Sequence, residues 1–418
     1  MAAIPPAVTI SGVNTTFWSA IGFLRFLKEE IVSPPTITKA EEKLILWIEK
    51  HAVAVCIPAK SEESGIARTI RSLKNQVGAR NIFVVSDGST DNTAKIARGF
   101  RVKVAELTKS KGKAGALKYL IDHYNLLEKY LFILFVDADT HIDSNYVKYA
   151  LPYFADPQIV AVAGHAKTAW RKHFWPKWEM FFIAYRDKLY NFLQYTIRYG
   201  QTAKWTNVSP IVPGFASIYR TSGLKQININ EPGLVIEDFN MTFQIHNKKL
   251  GKIAYHPKVF GIARDPTNFT DYVAQVRRWN LGFWQTFIKQ GINFNFFTFA
   301  LVVMVLESLL STIFFLALPI TVLLILVNSF PTYFSPLLLG ISGKVGSYIT
   351  LLDIILLFIL GDYLLTAILA VLVKRPQHLI YGLGYPLLRF VDAIIILSTL
   401  PQAFFSKSTG VWVSPSRK

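Results

Sequence analysis

Two acidic pairs, far apart in the chain, are the residues best suited to carry chemistry. Asp137 and Asp139 flank one alanine directly after an apolar run, and Glu237 and Asp238 follow a Pro-Gly turn. Carboxylates at positions i and i+2 of an extended backbone lie on one side of it and suit a hard cation such as Mg²⁺ or Mn²⁺. A carboxylate at the start of a helix could instead take a proton from a hydroxyl group. The two pairs could therefore divide metal binding and general-base catalysis between them.

Each acidic pair also has a purely structural interpretation. An Asp-Ala-Asp tripeptide is common in loop turns. Glu237 and Asp238 could act only as capping residues of the helix predicted for residues 239–248. The catalytic interpretation therefore depends on what else accompanies the two pairs.

An amide, a guanidinium and an indole come together shortly before the first long apolar run. Gln275, Arg278 and Trp279 fall within about one helical turn, so their side chains can face one spot. A guanidinium suits diphosphate oxygens, and an indole face suits the apolar face of a sugar ring. A basic and aromatic belt beside a membrane would have the same composition.

Further polar residues follow the first two predicted strands. Pro58, Ala59 and Glu62 come after one apolar run, and Asp87 ends the next. Ala59 and Glu62 could face the base and ribose of a nucleotide, and Asp87 could accept a hydrogen bond from the imide of uracil. The alternative for Glu62 is a carboxylate at a helix start, and helix capping explains the polar residues after Asp87.

Three lysines, Lys109, Lys111 and Lys113, lie in a flexible basic loop at residues 109–115. Lys113 lies between the two glycines of this loop, just before a predicted helix. A mobile lysine near a diphosphate is the functional interpretation, and a solvated basic loop is the alternative.

The elements that must position these residues alternate between strand and helix from residue 51 onward. Apolar runs at residues 53–57, 82–85 and 131–136 predict strands, and apolar residues at helical spacing predict a helix at residues 66–73. This succession predicts an α/β fold with a mostly parallel sheet flanked by helices. In such sheets ligands bind at the carboxyl ends of the strands, where the acidic residues lie.

Long apolar runs are concentrated at the end of the chain. Residues 297–330 and 348–373 are each long enough for a bilayer core, which needs about 20 residues, whereas glycine, proline and charged residues interrupt a third run at residues 379–405. Basic residues at 374–375 favour the cytoplasmic side for both ends of the hairpin made by the first two runs. The sequence therefore predicts an integral membrane protein with a cytoplasmic catalytic domain.

Two segments outside these runs combine aromatic or apolar side chains with charged ones. Residues 16–32 and 175–199 both have apolar residues at helical spacing. Such amphipathic helices favour the surface of a lipid bilayer. An ordinary helix packed in a domain is the alternative for both.

Charge and cysteine content limit the function classes. The chain carries 45 Lys and Arg against 27 Asp and Glu, and residues 1–296 hold 38 and 23 of them. This basic excess suits an anionic membrane surface and a diphosphate substrate. No zinc-ligand spacing, recognition helix or RNA-binding aromatic signature accompanies it, so no nucleic-acid partner is expected. The single cysteine, Cys56, excludes an intramolecular disulfide and fits a reducing compartment.

Taken in order, these motifs resemble those of the processive family-2 glycosyltransferases, the synthases of cellulose, chitin, hyaluronan and poly-N-acetylglucosamine. The resemblance covers roughly residues 50–290. It is carried by Pro58-Ala59, Glu62-Glu63, Ser86-Asp87-Gly88-Ser89, Gly112-Lys113, Asp137-Ala138-Asp139, Val212-Pro213-Gly214-Phe215, Glu237-Asp238, Gln275 and Arg278-Trp279. It implies a GT-A fold, a UDP-sugar donor and metal-dependent inverting transfer.

The resemblance also implies a role for individual residues. Asp87 would bind uridine, and Asp139 would bind the metal with Asp137 beside it. Asp238 would be the catalytic base, next to Glu237. The remaining positions would contact donor or acceptor: Gln275, Arg278 and Trp279 close over both, and Gly214 and Phe215 line the acceptor path.

The sequence departs from that family at two places. Ser61 stands where many relatives have asparagine, and the amphipathic residues 16–32 replace the paired N-terminal spans of many synthases. A complete translocation channel could therefore require oligomerisation, which makes a second copy of the chain a candidate partner.

Four segments are predicted: an amphipathic segment at residues 1–50, a cytosolic GT-A domain at 51–270, an interface helix at 271–296, and a transmembrane region with a basic tail at 297–418. The predicted activity is β-glycosyl transfer from a UDP-sugar to a saccharide, lipid or protein acceptor. Two alternatives remain open, a polyprenyl-phosphate sugar transferase and a non-catalytic membrane anchor that binds a nucleotide sugar.

Overall fold

A single mixed sheet is the centre of the part of the chain that the structure, a computed structural model, describes: residues 12–32, 39–171, 177–355 and 360–405. Its eight strands are β1 (Val53–Ala59), β2 (Ile82–Asp87), β3 (Lys103–Leu107), β4 (Phe132–Val136), β5 (His141–Ile142), β6 (Ile159–Thr168), β7 (Ala216–Arg220) and β8 (Lys252–Ala263). The three strands predicted from apolar runs are confirmed as β1, β2 and β4. The basic tail at residues 417–418 lies outside the described residues.

The strand order is β3-β2-β1-β4-β7-β6-β8-β5. The first four strands are parallel, whereas β7 is antiparallel to both β4 and β6, and β5 is antiparallel to β8. The α/β class is therefore confirmed, and the sheet is mixed, with four parallel strand pairings, including β6 with β8, and three antiparallel ones. A long helical segment separates β6 from β7 along the chain. The two strands are therefore not joined by the single-helix crossover that is typical of parallel pairs.

Helices cover both faces of the sheet because successive residues of each central strand point to opposite sides. In β1, Val53, Val55 and Ile57 belong to one apolar core, and Ala54 and Cys56 belong to the other. The helices of this region are α2 (Lys39–His51), α3 (Ile66–Val77), α4 (Thr93–Gly99), α5 (Gly112–His123), α6 (Leu126–Lys129), α7 (Tyr146–Ala150), α9 (Tyr199–Gln201), α10 (Thr221–Leu224) and α11 (Glu237–Asn247).

Helix α8 (Trp178–Phe192) is an internal helix and does not lie on a surface. Every residue from 180 to 190 is buried. Lys188 Nζ lies 2.7 Å from Asp362 Oδ2, so one of the charges that suggested a bilayer surface forms a buried ion pair, and Arg389 Nη1 lies 2.8 Å from Asp362 Oδ1. The prediction of a surface helix was wrong for residues 180–190, because segments distant in sequence cover this helix and Asp362 pairs with its Lys188. Residues 175 and 176 lie outside the described residues.

Two stretches of the described chain are long and apolar enough to cross a membrane, Phe296–Val327 and His378–Phe405. The first is helix α13, which follows α12 (Phe269–Gln290). The other helices of this part are α14 (Pro336–Tyr348), α15 (Leu351–Ile354), α16 (Gly361–Leu372), α17 (His378–Tyr381) and α18 (Tyr385–Phe405).

The second and third apolar runs are mainly helical in their described parts. The second contains the short helices α15 and α16, and its residues 356–359 lie outside the described part. The third is helical throughout, because Pro386 lies in the first turn of α18, where its missing N–H costs no hydrogen bond. Asp392 faces inward and accepts hydrogen bonds from the hydroxyls of Tyr185 and Tyr272.

The predicted N-terminal amphipathic helix is present as α1 (Val13–Phe26), continued by a π-helical turn to Val32. Trp18 is buried and Phe17 is half exposed. The carboxylate of Glu307 in α13 accepts hydrogen bonds from the backbone N–H groups of Asn14 and Thr15. Since the first N–H groups of a helix lack intrahelical partners, Glu307 fixes the start of α1 against α13.

Candidate active site

A cavity of about 1110 Å³ contains both acidic pairs. It lies beyond the ends of β1, β4 and β8 and is closed on other sides by the start of α11 and one face of α12. The predicted site residues that line it are Glu62, Lys113, Asp137, Asp139, Phe215, Glu237, Asp238, Gln275, Arg278 and Trp279. Its volume is at the upper end of the range for ligand sites, which leaves room for two substrates.

The turn after β4 positions the first acidic pair. Asp137 N–H donates to Phe215 O at 2.9 Å, and Thr140 N–H donates to Asp137 O at 3.1 Å, which closes a tight turn. The hydroxyl of Thr69 donates to Ala138 O at 2.7 Å. These bonds fix the backbone between the two aspartates, and both side chains line the cavity.

The first pair fits a hard divalent cation. Asp137 and Asp139 offer oxygen ligands on one wall of the cavity. Among the described residues, no group of three or more His, Cys, Asp or Glu side chains is arranged to hold a metal. Mg²⁺ commonly binds one or two carboxylates and completes its shell with phosphate oxygens and water. The donor set therefore fits a cation that arrives with a diphosphate.

Lys113 connects the two acidic pairs. Its Nζ lies 2.8 Å from Asp137 Oδ1 and 3.0 Å from Glu237 Oε1, and it donates to Gly214 O at 3.3 Å. Burial by itself would lower the pKa of Lys113, but the charges of Asp137 and Glu237 outweigh burial and raise this pKa above its ordinary value. Lys113 is therefore a permanent cation at the centre of the cavity.

Glu237 and Asp238 form the first turn of α11, and both are largely buried. The N-cap of this helix is Ile236, which makes no side-chain capping bond, but Asp238 accepts from the first-turn N–H of Phe239, so the capping interpretation holds for this one contact. Asp238 accepts hydrogen bonds from Gly214 N–H at 3.1 Å and from Phe239 N–H at 2.8 Å. Burial, reinforced by the charge of Glu237, raises the pKa of Asp238, although Lys113 acts in the opposite direction. A carboxylate of raised pKa is a stronger proton acceptor.

Helix α12 brings Gln275, Arg278 and Trp279 to the cavity wall, as their spacing predicted. Trp279 is only 5% exposed, so the cavity meets a small part of its ring system. A guanidinium, that of Arg186 in α8, lies over this ring at 4.4 Å from its centroid. Helices α8 and α12 therefore form this side of the site together.

Sequence reasoning missed three side chains near this wall, those of Arg186, Tyr190 and Asp265. Arg186 is fully buried, and its Nη2 donates to Gln275 Oε1 at 3.0 Å. Asp265 lines the cavity, accepts a hydrogen bond from the hydroxyl of Tyr190 at 3.0 Å, and has its pKa raised to about 7 by burial. For Arg186, the one signal in the sequence was a charged residue within a helical stripe of aromatic residues. The sequence around Asp265 has no distinguishing pattern.

Four predicted residues do not line the cavity. Asp87 is fully buried, and its carboxylate accepts hydrogen bonds from Lys111 N–H at 2.7 Å and from Gly112 N–H at 3.0 Å. It therefore holds the loop before α5, and its predicted contact with uracil stays a prediction. Pro58 and Ala59 are buried in β1, and Gly214 contributes only backbone contacts to Asp238 and Lys113.

Comparison with known proteins identifies this domain. Residues 54–227 match the family model Glycosyl transferase family 2. A poly-beta-1,6-N-acetyl-D-glucosamine synthase of Staphylococcus epidermidis is 23% identical over 421 aligned positions, which cover 94% of this chain and 92% of that protein. A synthase of the same name from Staphylococcus aureus is 23% identical over 50% of this chain and 49% of that protein. These matches show that the chain is a glycosyltransferase with a family 2 domain at residues 54–227.

Solved structures show only a distant likeness. The mannosyltransferase PcManGT from Pyrobaculum calidifontis, in complex with GDP-Man and Mn²⁺, is 17% identical with a TM-score of 0.49, over 91% of this chain and 99% of that chain. This value supports no conclusion about the present site. The α/β architecture follows instead from the strand order and from the family match.

Proposed function

We propose that this glycosyltransferase is a membrane-bound polysaccharide synthase that transfers a sugar from a UDP-sugar to a saccharide, with inversion at the anomeric carbon. The observation that best supports the proposal is the meeting of both acidic pairs in one cavity, with Lys113 between them and Trp279 on the wall. The name of the staphylococcal relatives makes N-acetylglucosamine the first sugar to test.

The donor diphosphate would bind at the end of the cavity that holds Lys113 and Asp139. When bound there by Asp139 and Asp137, Mg²⁺ or Mn²⁺ would neutralise the charge that develops on the leaving diphosphate. Lys113 can exchange a carboxylate partner for a phosphate oxygen, because its ammonium group has three donors. Arg278, which also lines the cavity, adds a guanidinium, which binds phosphate oxygens in a fixed geometry.

The acceptor hydroxyl would be activated by Asp238. Its two oxygens accept one backbone hydrogen bond each, and a carboxylate has about four lone-pair sites, so it retains the capacity to take a proton. Attack in line with the departing diphosphate inverts the anomeric centre. Trp279 would hold the acceptor sugar by stacking, which aligns the hydroxyl with Asp238.

A membrane location is part of the proposal. Phe296–Val327 and His378–Phe405 have the length and composition of spans. Three basic residues and no acidic one lie within 20 positions before the first of them, Arg277, Arg278 and Lys289, and they favour a cytoplasmic position for the catalytic domain, where nucleotide sugars are made available.

The direct test is UDP release by the purified full chain in detergent, with a panel of UDP-sugars, each with Mn²⁺ or Mg²⁺ and with the cation removed by EDTA. We expect release from at least one donor, abolished by EDTA and restored by added cation. Mass spectrometry of the product would show elongation of a saccharide. No release from any donor under these conditions would contradict the proposed function.

Trp279 gives a test of the acceptor side. Replacing Trp279 by alanine removes the stacking surface, so we expect acceptor use to fall by about 10-fold or more, since one aromatic platform contributes roughly 1–3 kcal/mol. Donor hydrolysis without acceptor should change much less. Initial rates with and without acceptor would separate the two, and equal losses in both would contradict stacking.

A further inference from the structure

Arg186 is a buried cation whose bonding is incomplete. The residue is 0% exposed, yet its Nε and Nη1 have no hydrogen-bond partner, and Nη2 makes one bond to Gln275. No carboxylate lies within ion-pair distance of it among the described residues. Burying a charged group without full compensation is costly. Its position therefore needs an explanation other than stability.

The hydrogen bond and both ring contacts of the guanidinium are with α12. Its carbon lies 4.4 Å from the ring centroid of Trp279 and 4.9 Å from that of Tyr272, and Nη2 bonds Gln275 Oε1 at 3.0 Å. Gln275 and Trp279 both line the cavity, whereas Arg186 does not. The guanidinium is thus behind the cavity wall and in contact with the two groups that form it.

The planar guanidinium of Arg186 constrains the indole of Trp279 and the amide of Gln275 at once. Cation–π attraction favours one orientation of the indole, and the charge-assisted hydrogen bond orients the Gln275 amide so that its NH₂ group remains available to another acceptor. Because the guanidinium covers one face of Trp279, the part of the ring that meets the cavity is its edge or the other face.

We propose that Arg186 is a positioning residue for the acceptor saccharide, which acts by holding the indole of Trp279 and the amide of Gln275 in the orientation that binds the sugar. This inference rests on the proposed function and adds to it a residue on a helix that carries none of the family motifs. Asp265, whose Oδ1 accepts from the hydroxyl of Tyr190, also lines the cavity.

The test is a double-mutant cycle with Arg186→Met and Trp279→Ala in the full chain, using UDP-N-acetylglucosamine as donor and a β-1,6-linked N-acetylglucosamine trisaccharide as acceptor. Arg186→Met should raise the acceptor KM by about 10-fold, while kcat/KM for donor hydrolysis without acceptor stays within about threefold. In the Trp279→Ala background the same change should raise the acceptor KM by less than about threefold. Arg186→Lys retains the cation and should recover part of the loss.

Arg25→Met is the matched control. The Arg25 guanidinium also lies over an aromatic ring, that of Tyr199 at 4.2 Å, and donates to Thr202, and neither partner lines the cavity. This variant should leave the acceptor KM within twofold. Should Arg186→Met fail to fold, the cycle is run with Arg186→Lys, which should still raise the acceptor KM and lose its effect beside Trp279→Ala.

Two outcomes would overturn the inference. One is an equal loss of donor hydrolysis and acceptor use in the Arg186 variants, and the other is an effect of the same size with and without Trp279. Absence of donor turnover in the unchanged chain would instead contradict the proposed function, so the two failures are distinguishable.

Discussion

Replacing Asp238 by asparagine is expected to reduce glycosyl transfer by about 100-fold or more, the usual scale for loss of a general base. Asparagine has nearly the same shape and can still accept one of the two backbone hydrogen bonds, from Gly214 or Phe239, but it cannot take a proton. A 100-fold loss corresponds to about 2.7 kcal/mol of transition-state stabilisation. The measurement is kcat for UDP release at saturating acceptor.

The pH profile gives a second readout for Asp238. The base must be ionised, so kcat/KM should fall as the pH decreases through the raised pKa of Asp238, and the residual activity of the Asp238→Asn variant should lack this acid limb. Asp122→Asn is the control, because Asp122 is an exposed partner of Lys118 on α5 and does not line the cavity. A normal rate in Asp238→Asn would show that another group is the base.

Replacing Asp139 by asparagine should also lower transfer by about 100-fold, but for a different reason. A neutral amide is a weaker ligand for Mg²⁺ or Mn²⁺ than a carboxylate, so the variant should need more cation for half-maximal rate. The loss should be partly recovered at high Mn²⁺, unlike that of Asp238→Asn. This difference separates a metal ligand from a base.

Direct binding tests the same residue without turnover. Calorimetric titration of Mn²⁺ in the presence of UDP should show weaker binding to Asp139→Asn than to the unchanged chain. Asp156→Asn is the control, because Asp156 is a surface residue 3.7 Å from Lys204 and does not line the cavity. Equal Mn²⁺ binding by Asp139→Asn and the unchanged chain would remove Asp139 from the metal site.

The residues at strand ends were predictable because their placement follows from local pattern. A buried apolar run predicts a strand, and the residues after it must lie at the edge of the sheet, as Asp137 and Asp139 do. One helical turn likewise brings Gln275, Arg278 and Trp279 to one wall. Periodicity along a short segment is sufficient for both.

The environment of a side chain was not predictable in the same way. Asp87 ends a strand as expected, but Lys111 and Gly112 provide its hydrogen bonds, so it faces a loop and not the cavity. The sequence pattern predicts that Arg186 is a surface charge, but α12 packs over it. Both cases depend on contacts between distant segments, which pattern within one segment does not specify.

The ion pairs of α8 connect the C-terminal helices to the sugar site, so a movement of those helices in a bilayer would affect the site. Lys188 is joined to Asp362 in α16, and Asp362 is joined to Arg389 in α18, while Arg186, two positions earlier in α8, contacts Trp279. Separating the C-terminal helices from α8 would expose buried charges, so a shift of those helices would carry α8 and its arginine along. In the proposed membrane location, we therefore expect the transfer rate to change with bilayer thickness and lipid composition.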